Sequence, residues 1–111
     1  MKKNYKKYEL EFYGDIYKVI PFKSRYFNNN TLAVILMTDK GEDFADITVN
    51  IEFTQANDTM AYIDTNNNKW VEKFLQDNKI AKPTGEYGFS GFCSYPLYEF
   101  DLTKLEEFEE N

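Results

Sequence analysis

The chain has 111 residues, 42% hydrophobic and 29% charged, with 10 Phe, 9 Tyr, one Trp, one Cys and no His. That length and balance suit one folded domain spanning 1–111 and argue against bulk disorder. The missing imidazole removes the commonest general base and metal ligand at neutral pH, and a lone Cys93 excludes an internal disulfide.

The net charge of −6 is unevenly spread: residues 1–25 hold seven Lys or Arg against three acids, whereas residues 26–111 hold six against sixteen. Direct nucleic-acid binding is therefore not expected, because phosphate recognition needs a positive face. Lys2, Lys3, Lys6 and Lys7 read as a basic, frayed N-terminus over residues 1–7, and residues 103–111 as an acidic C-terminal end. No apolar run approaches the roughly 18 residues of a membrane span, and no signal-peptide core follows Met1, so a cytoplasmic protein without membrane contact is expected.

In chain order, Tyr8, Leu10 and Phe12 alternate with Glu9 and Glu11, Gly14-Asp15 interrupts, and Ile16 to Phe22 resumes. This spacing predicts a hairpin with a two-residue turn, with Pro21 at the edge or end of its second strand because it cannot donate to a ladder. Asn28-Asn29-Asn30 marks a loop, and the unbroken apolar run Leu32 to Met37 predicts a central strand covered on both faces. Beyond Gly41, Ile47, Val49, Ile51 and Phe53 alternate with polar residues as in a half-buried strand. Met60 to Ile63 follows as a short strand closed by Asp64-Thr65-Asn66-Asn67-Asn68.

Trp70, Val71, Phe74 and Leu75 recur at helical spacing between Asn68 and Asn78, which predicts an amphipathic helix over 68–77 that must dock on a sheet to persist. Lys82 to Gly85 reads as a loop, the three-residue spacing of Gly85, Gly88 and Gly91 as a bent or bulged strand, 97–102 as a last strand, and 102–108 as a short helix. The expected fold is α+β: a mostly antiparallel sheet of five or six strands with one amphipathic helix on one face.

Four features carry candidate chemistry. Tyr87, Phe89, Phe92, Tyr95, Tyr98 and Phe100 crowd the glycine segment and form either core or a binding surface. Cys93 has no Lys or Arg within ten residues to activate it and reads as a small buried hydrophobe. Asp39, Glu42, Asp43 and Asp46 gather carboxylates around Gly41 without the spacing of a calcium loop, and the polar run at 64–68 reads as turn and cap residues. Asn29 and Asn57 begin Asn-x-Thr triplets and read as loops.

The segments Leu32-Ala33-Val34 with Ile47-Thr48-Val49-Asn50, Asp64-Thr65-Asn66-Asn67 leading to Trp70, and Ser90 to Phe100 together resemble a small uncharacterised protein family of Gram-positive bacteria, often carried on conjugative and other mobile elements. The resemblance implies a bacterial, cytoplasmic setting and assigns no activity. The residues themselves favour a non-catalytic binding module without a cofactor, whose partner is another protein and whose site is Tyr87, Phe89, Phe92, Tyr95 and Tyr98. The rivals are an acidic decoy that occupies the basic cleft of a nucleic-acid-binding defence protein, and a small carboxylate-dependent hydrolase. Oligomeric state is left open at this level.

Overall fold

A computed structural model describes residues 5–51 and 56–108. Lys2 and Lys3, Glu52 and Phe53, and Glu109 and Glu110 lie outside the described residues, and with them parts of the basic end, the alternating segment and the acidic end. The α+β class and the predominantly antiparallel pairing hold. The strands, however, form two sheets rather than a single one of five or six.

The first sheet contains β1 (Tyr8–Phe12), β2 (Asp15–Arg25), β3 (Leu32–Thr38) and β4 (Asp43–Asp46) in that order. Its opening hairpin turns at Tyr13-Gly14, one residue earlier than expected, because both adopt positive φ (50° and 83°) and so match the twist of the paired strands. β3 lies between β2 and β4, burying Leu32, Val34 and Leu36 while Ala33, Ile35 and Met37 are half-buried. Pro21 sits within β2 rather than at its end. β1 has finished at the Tyr8↔Val19 pair and the next neighbour on that side begins at Phe22, so the proline occupies a gap where a donor is not needed.

That neighbour is β9 (Glu106–Glu107), which pairs with β2 in parallel. It replaces the helix expected over 102–108, of which one 3-10 turn at Leu102–Lys104 remains. Asp101 caps this turn by accepting from the Thr103 N–H and hydroxyl at 3.0 and 2.6 Å, bonds that hold its carboxyl below its ordinary pKa. Lys23 then meets Glu107 at 3.1 Å.

The second sheet has the order β5 (Thr48–Val49), β6 (Met60–Ile63), β8 (Cys93–Phe100) and β7 (Ala81–Ser90). The alternating segment from residue 47 is thus divided, since the chain leaves the first sheet after Asp46 and enters the second at Thr48. Ile47 belongs to both ladders: its N–H donates to Val34 in β3 at 3.2 Å and its carbonyl accepts from Asp64 after β6 at 2.9 Å. Thr48 completes the junction, its Oγ1 accepting from the Val34 N–H at 3.1 Å and lying 2.8 Å from the Tyr26 hydroxyl.

The helix α1 is Val71–Asp77, shorter than 68–77. Asn68 is not its cap, because the Asn68 amide instead donates to the carbonyls of Asp46 and Asp64, and Trp70 occupies the cap position. The docking face is as expected: Val71, Phe74 and Leu75 enter one core with Tyr8, Leu10 and Val34 of the first sheet and Ala61, Ile63 and Tyr98 of the second. Trp70 half-buries against Phe12, Phe44 and Phe74, at ring separations of 5.9–6.4 Å. No helix among the described residues is long and apolar enough to cross a membrane.

Candidate functional site

The β7–β8 hairpin carries all five candidate side chains and separates them by depth. β7 begins at Ala81, so the expected loop at 82–85 is strand, interrupted by a bulge between Pro83 and Tyr87 where Gly85 takes φ 91°. Thr84 holds the bulge by donating its hydroxyl to the Leu97 carbonyl at 3.0 Å and accepting from the Glu86 N–H at 3.2 Å. β8 starts at Cys93 rather than at 97, and the strands are joined by the two-residue turn Gly91-Phe92, with Gly91 at φ 61°.

Tyr98 lies at the root of the hairpin and is fully buried, which removes it from any surface site. Its hydroxyl donates to Glu72 Oε1 at 2.6 Å and accepts from Gln76 Nε2 at 2.8 Å, both on α1. Burial, and then the bond to Glu72, push the phenol well above its ordinary pKa. Tyr95 is half-buried at mid-strand; its phenol is raised first by a hydrogen bond to the Cys93 thiol two residues away on the same face. Cys93 is half-buried rather than enclosed, because it closes the hairpin beside the turn, beyond the reach of the core.

The other three rings project into solvent. Tyr87 is 58% exposed, Phe89 71%, and Phe92 fully so at the turn. Tyr87 stands opposite Pro96 and Phe89 opposite Ser94, which places both rings on the face that carries Tyr98 and Phe100. They are uncovered because α1, at seven residues, spans about 10 Å. Ten-residue β7 runs about 33 Å and outreaches it.

On the opposite face, the ring of Tyr62 in β6 lies over Gly88. A Cβ built there would come within 2.6 Å of Tyr62 Cε1, so the glycine is a seat for that ring. Tyr62 is the residue that the sequence reading missed, and no spacing signal marks it, because the contact crosses the intervening strand β8. From Tyr87 to Tyr98 the hairpin has no Lys, Arg, Asp or Glu. It offers ring surface and backbone, with tyrosine phenols and the Cys93 thiol as its titratable groups.

The other candidates are occupied locally. Asp64 accepts from the Asn67 N–H and side-chain amide at 3.1 and 2.9 Å, which makes the 64–68 run a turn. Asn29 accepts from the Thr31 N–H and hydroxyl at 3.3 and 2.8 Å, while Asn57 accepts from the N–H groups of Thr59 and Met60, both at 2.9 Å. In both Asn-x-Thr triplets the asparagine thus folds back on its own loop. Among the described residues no three His, Cys, Asp or Glu side chains gather in a way that could hold a metal ion, the acids around Gly41 included. A concave region of about 520 Å³ is lined by Phe12, Phe44 and Trp70 together with Asn67 and Asn68, whose side-chain amides make the loop bonds already described.

No curated protein and no solved structure matches the chain. A family model does match, over residues 23–111, from the last three residues of β2 through the hairpin to the C-terminal end. By that match the chain belongs to the family described as Domain of unknown function (DUF4313).

Proposed function

We propose that the protein is a non-catalytic interaction module that uses the outer half of the β7–β8 hairpin to hold another protein. The observation that carries this reading is the exposure of Tyr87, Phe89 and Phe92 within six residues of a strand pair whose root is fixed in the core. Aromatic rings supply large contact area at low entropic cost when their backbone is already ordered, and such rings dominate protein interfaces. The partner surface is an apolar one, in keeping with the uncharged stretch from Tyr87 to Tyr98. The resemblance to a Gram-positive, mobile-element family would give this module a cytoplasmic, accessory role on such an element.

The test compares wild-type protein with a triple Tyr87→Ala, Phe89→Ala, Phe92→Ala variant as bait in a lysate of the native host. Capture of a discrete protein by wild type, lost in a folded triple variant, is the expected result. Equal capture by both baits overturns the reading. Capture should also change little between low and physiological salt, whereas the acidic-decoy alternative requires a steep fall as charges are screened.

A further inference from the structure

The outer edge of β7 is a strand edge with an internal symmetry. In the sheet order β5-β6-β8-β7, β8 pairs one side of β7, and among the described residues no strand pairs the other. A two-residue turn closes on a pair whose N–H and C=O groups face each other, here Ser90↔Cys93. Alternation then directs the backbone groups of Gly88 toward β8 and those of Phe89 and Tyr87 outward. The sequence around Gly88 reads nearly the same in both directions: Tyr87 and Phe89 at one step, Glu86 and Ser90 at two, Gly85 and Gly91 at three.

We infer that this edge pairs with a second copy of the chain, antiparallel, about a two-fold axis at Gly88; the inference rests on the reading of the hairpin as an interaction site and names its partner. A two-fold contact requires each residue to suit its own mirror position, and a strand centred on Gly88 meets that requirement. Gly88 faces its copy across a non-hydrogen-bonded pair. Tyr87 then faces Phe89 of the other copy in a hydrogen-bonded pair, and this occurs twice, so the outward N–H and C=O groups are matched by backbone. All four rings fall on one face as cross-strand aromatic pairs.

Charge selects this edge over the others. Copies with a net charge of −6 repel, and β1 presents Glu9 and Glu11, β4 Asp43 and Asp46, and β9 Glu106 and Glu107, while β5 has only two residues. On β7 itself, Lys82, Pro83 and the bulge at 83–87 guard the root half, as edge strands commonly are guarded. From Tyr87 to Ser90 no such device is present, and the paired register sets no acid against another acid.

Sedimentation equilibrium of the full chain tests the inference. The mean mass should rise from 13.2 kDa toward twice that value as concentration is raised to about 1 mM, the range suited to so small an interface. Phe89→Pro removes one ring and one outward N–H without touching the β8 ladder, and the double variant Tyr87→Ser, Phe89→Ser removes the rings alone. Each should weaken association at least tenfold while the thermal melt stays near wild type. Phe92→Ala, in the turn and outside the proposed ladder, should leave it unchanged.

A wild-type chain that stays monomeric throughout overturns the inference, as does a dimer indifferent to Phe89→Pro or one abolished by Phe92→Ala. A monomer that still captures a different protein through the three rings leaves the interaction-module reading standing, and a monomer that captures nothing removes both.

Discussion

The two ends of the β7–β8 hairpin use the same kind of side chain for opposite purposes. At the root, Tyr98 and Phe100 are buried in the core that α1 enters, and Tyr98 is bonded to two residues of that helix. At the far end, Tyr87 and Phe89 stand on the same sheet face and meet solvent. Ring chemistry does not separate these residues; helix length does. An aromatic residue is core where a second layer lies over it and surface where that layer has stopped.

The sharpest way to break this comparison is to remove the layer's anchor. Phe74→Ala should cost about 3–5 kcal/mol in a denaturant titration, since it opens a cavity where α1 meets both sheets. A loss under about 1 kcal/mol would mean that α1 does not hold the root. Gly88→Ala comes next: its Cβ meets the buried Tyr62 ring, and a cost of about 1–3 kcal/mol is expected from overpacking.

Tyr98→Phe should cost about 1 kcal/mol through the lost hydroxyl bonds, and it also carries a pH signature. The phenols of Tyr98, Tyr26 and Tyr8 are all raised above 10 in the folded chain, in each case first by burial. Above pH 10 the unfolded chain releases these protons while the folded chain retains them. The associated stability is therefore complete below pH 10 and declines as pH rises beyond it. Melting temperature followed from pH 8 to 11 should fall at the alkaline end, and less steeply in Tyr98→Phe. The smallest effect belongs to the tip: Tyr87→Ala, Phe89→Ala and Phe92→Ala should each stay within about 0.5 kcal/mol of wild type at concentrations where the chain is monomeric. A larger loss would show that a tip ring is structural.

Local patterns made much of the molecule legible. Alternation identified β1 and β2, the apolar run identified β3, and the Trp70-Val71-Phe74-Leu75 stripe identified α1 and its docking face. What stayed hidden was set by partners distant in sequence. Thr48 and Ile47 continue the alternation without interruption, yet bonds to Val34 on one side and Asp64 on the other divide that strand between two sheets. The segment 102–108 has helical spacing, but β2 offered a vacant ladder position at Phe22 and drew Glu106–Glu107 into it. Of the five candidate residues, Tyr87, Phe89 and Phe92 are presented outward, Tyr95 is partly withdrawn, and Tyr98 is enclosed. That gradient depends on where α1 ends, a length that the spacing of apolar residues overstated by one turn at its start.

Ile47, whose backbone is bonded to both sheets, governs how the chain comes apart. Because the backbone of Ile47 is bonded on both sides, there is no slack between the halves, and neither can loosen without pulling on the other. Amide protons of β3 and β6 should therefore exchange with deuterium at a common slow rate, and a chain severed at this point should yield two fragments that remain unfolded until they are mixed.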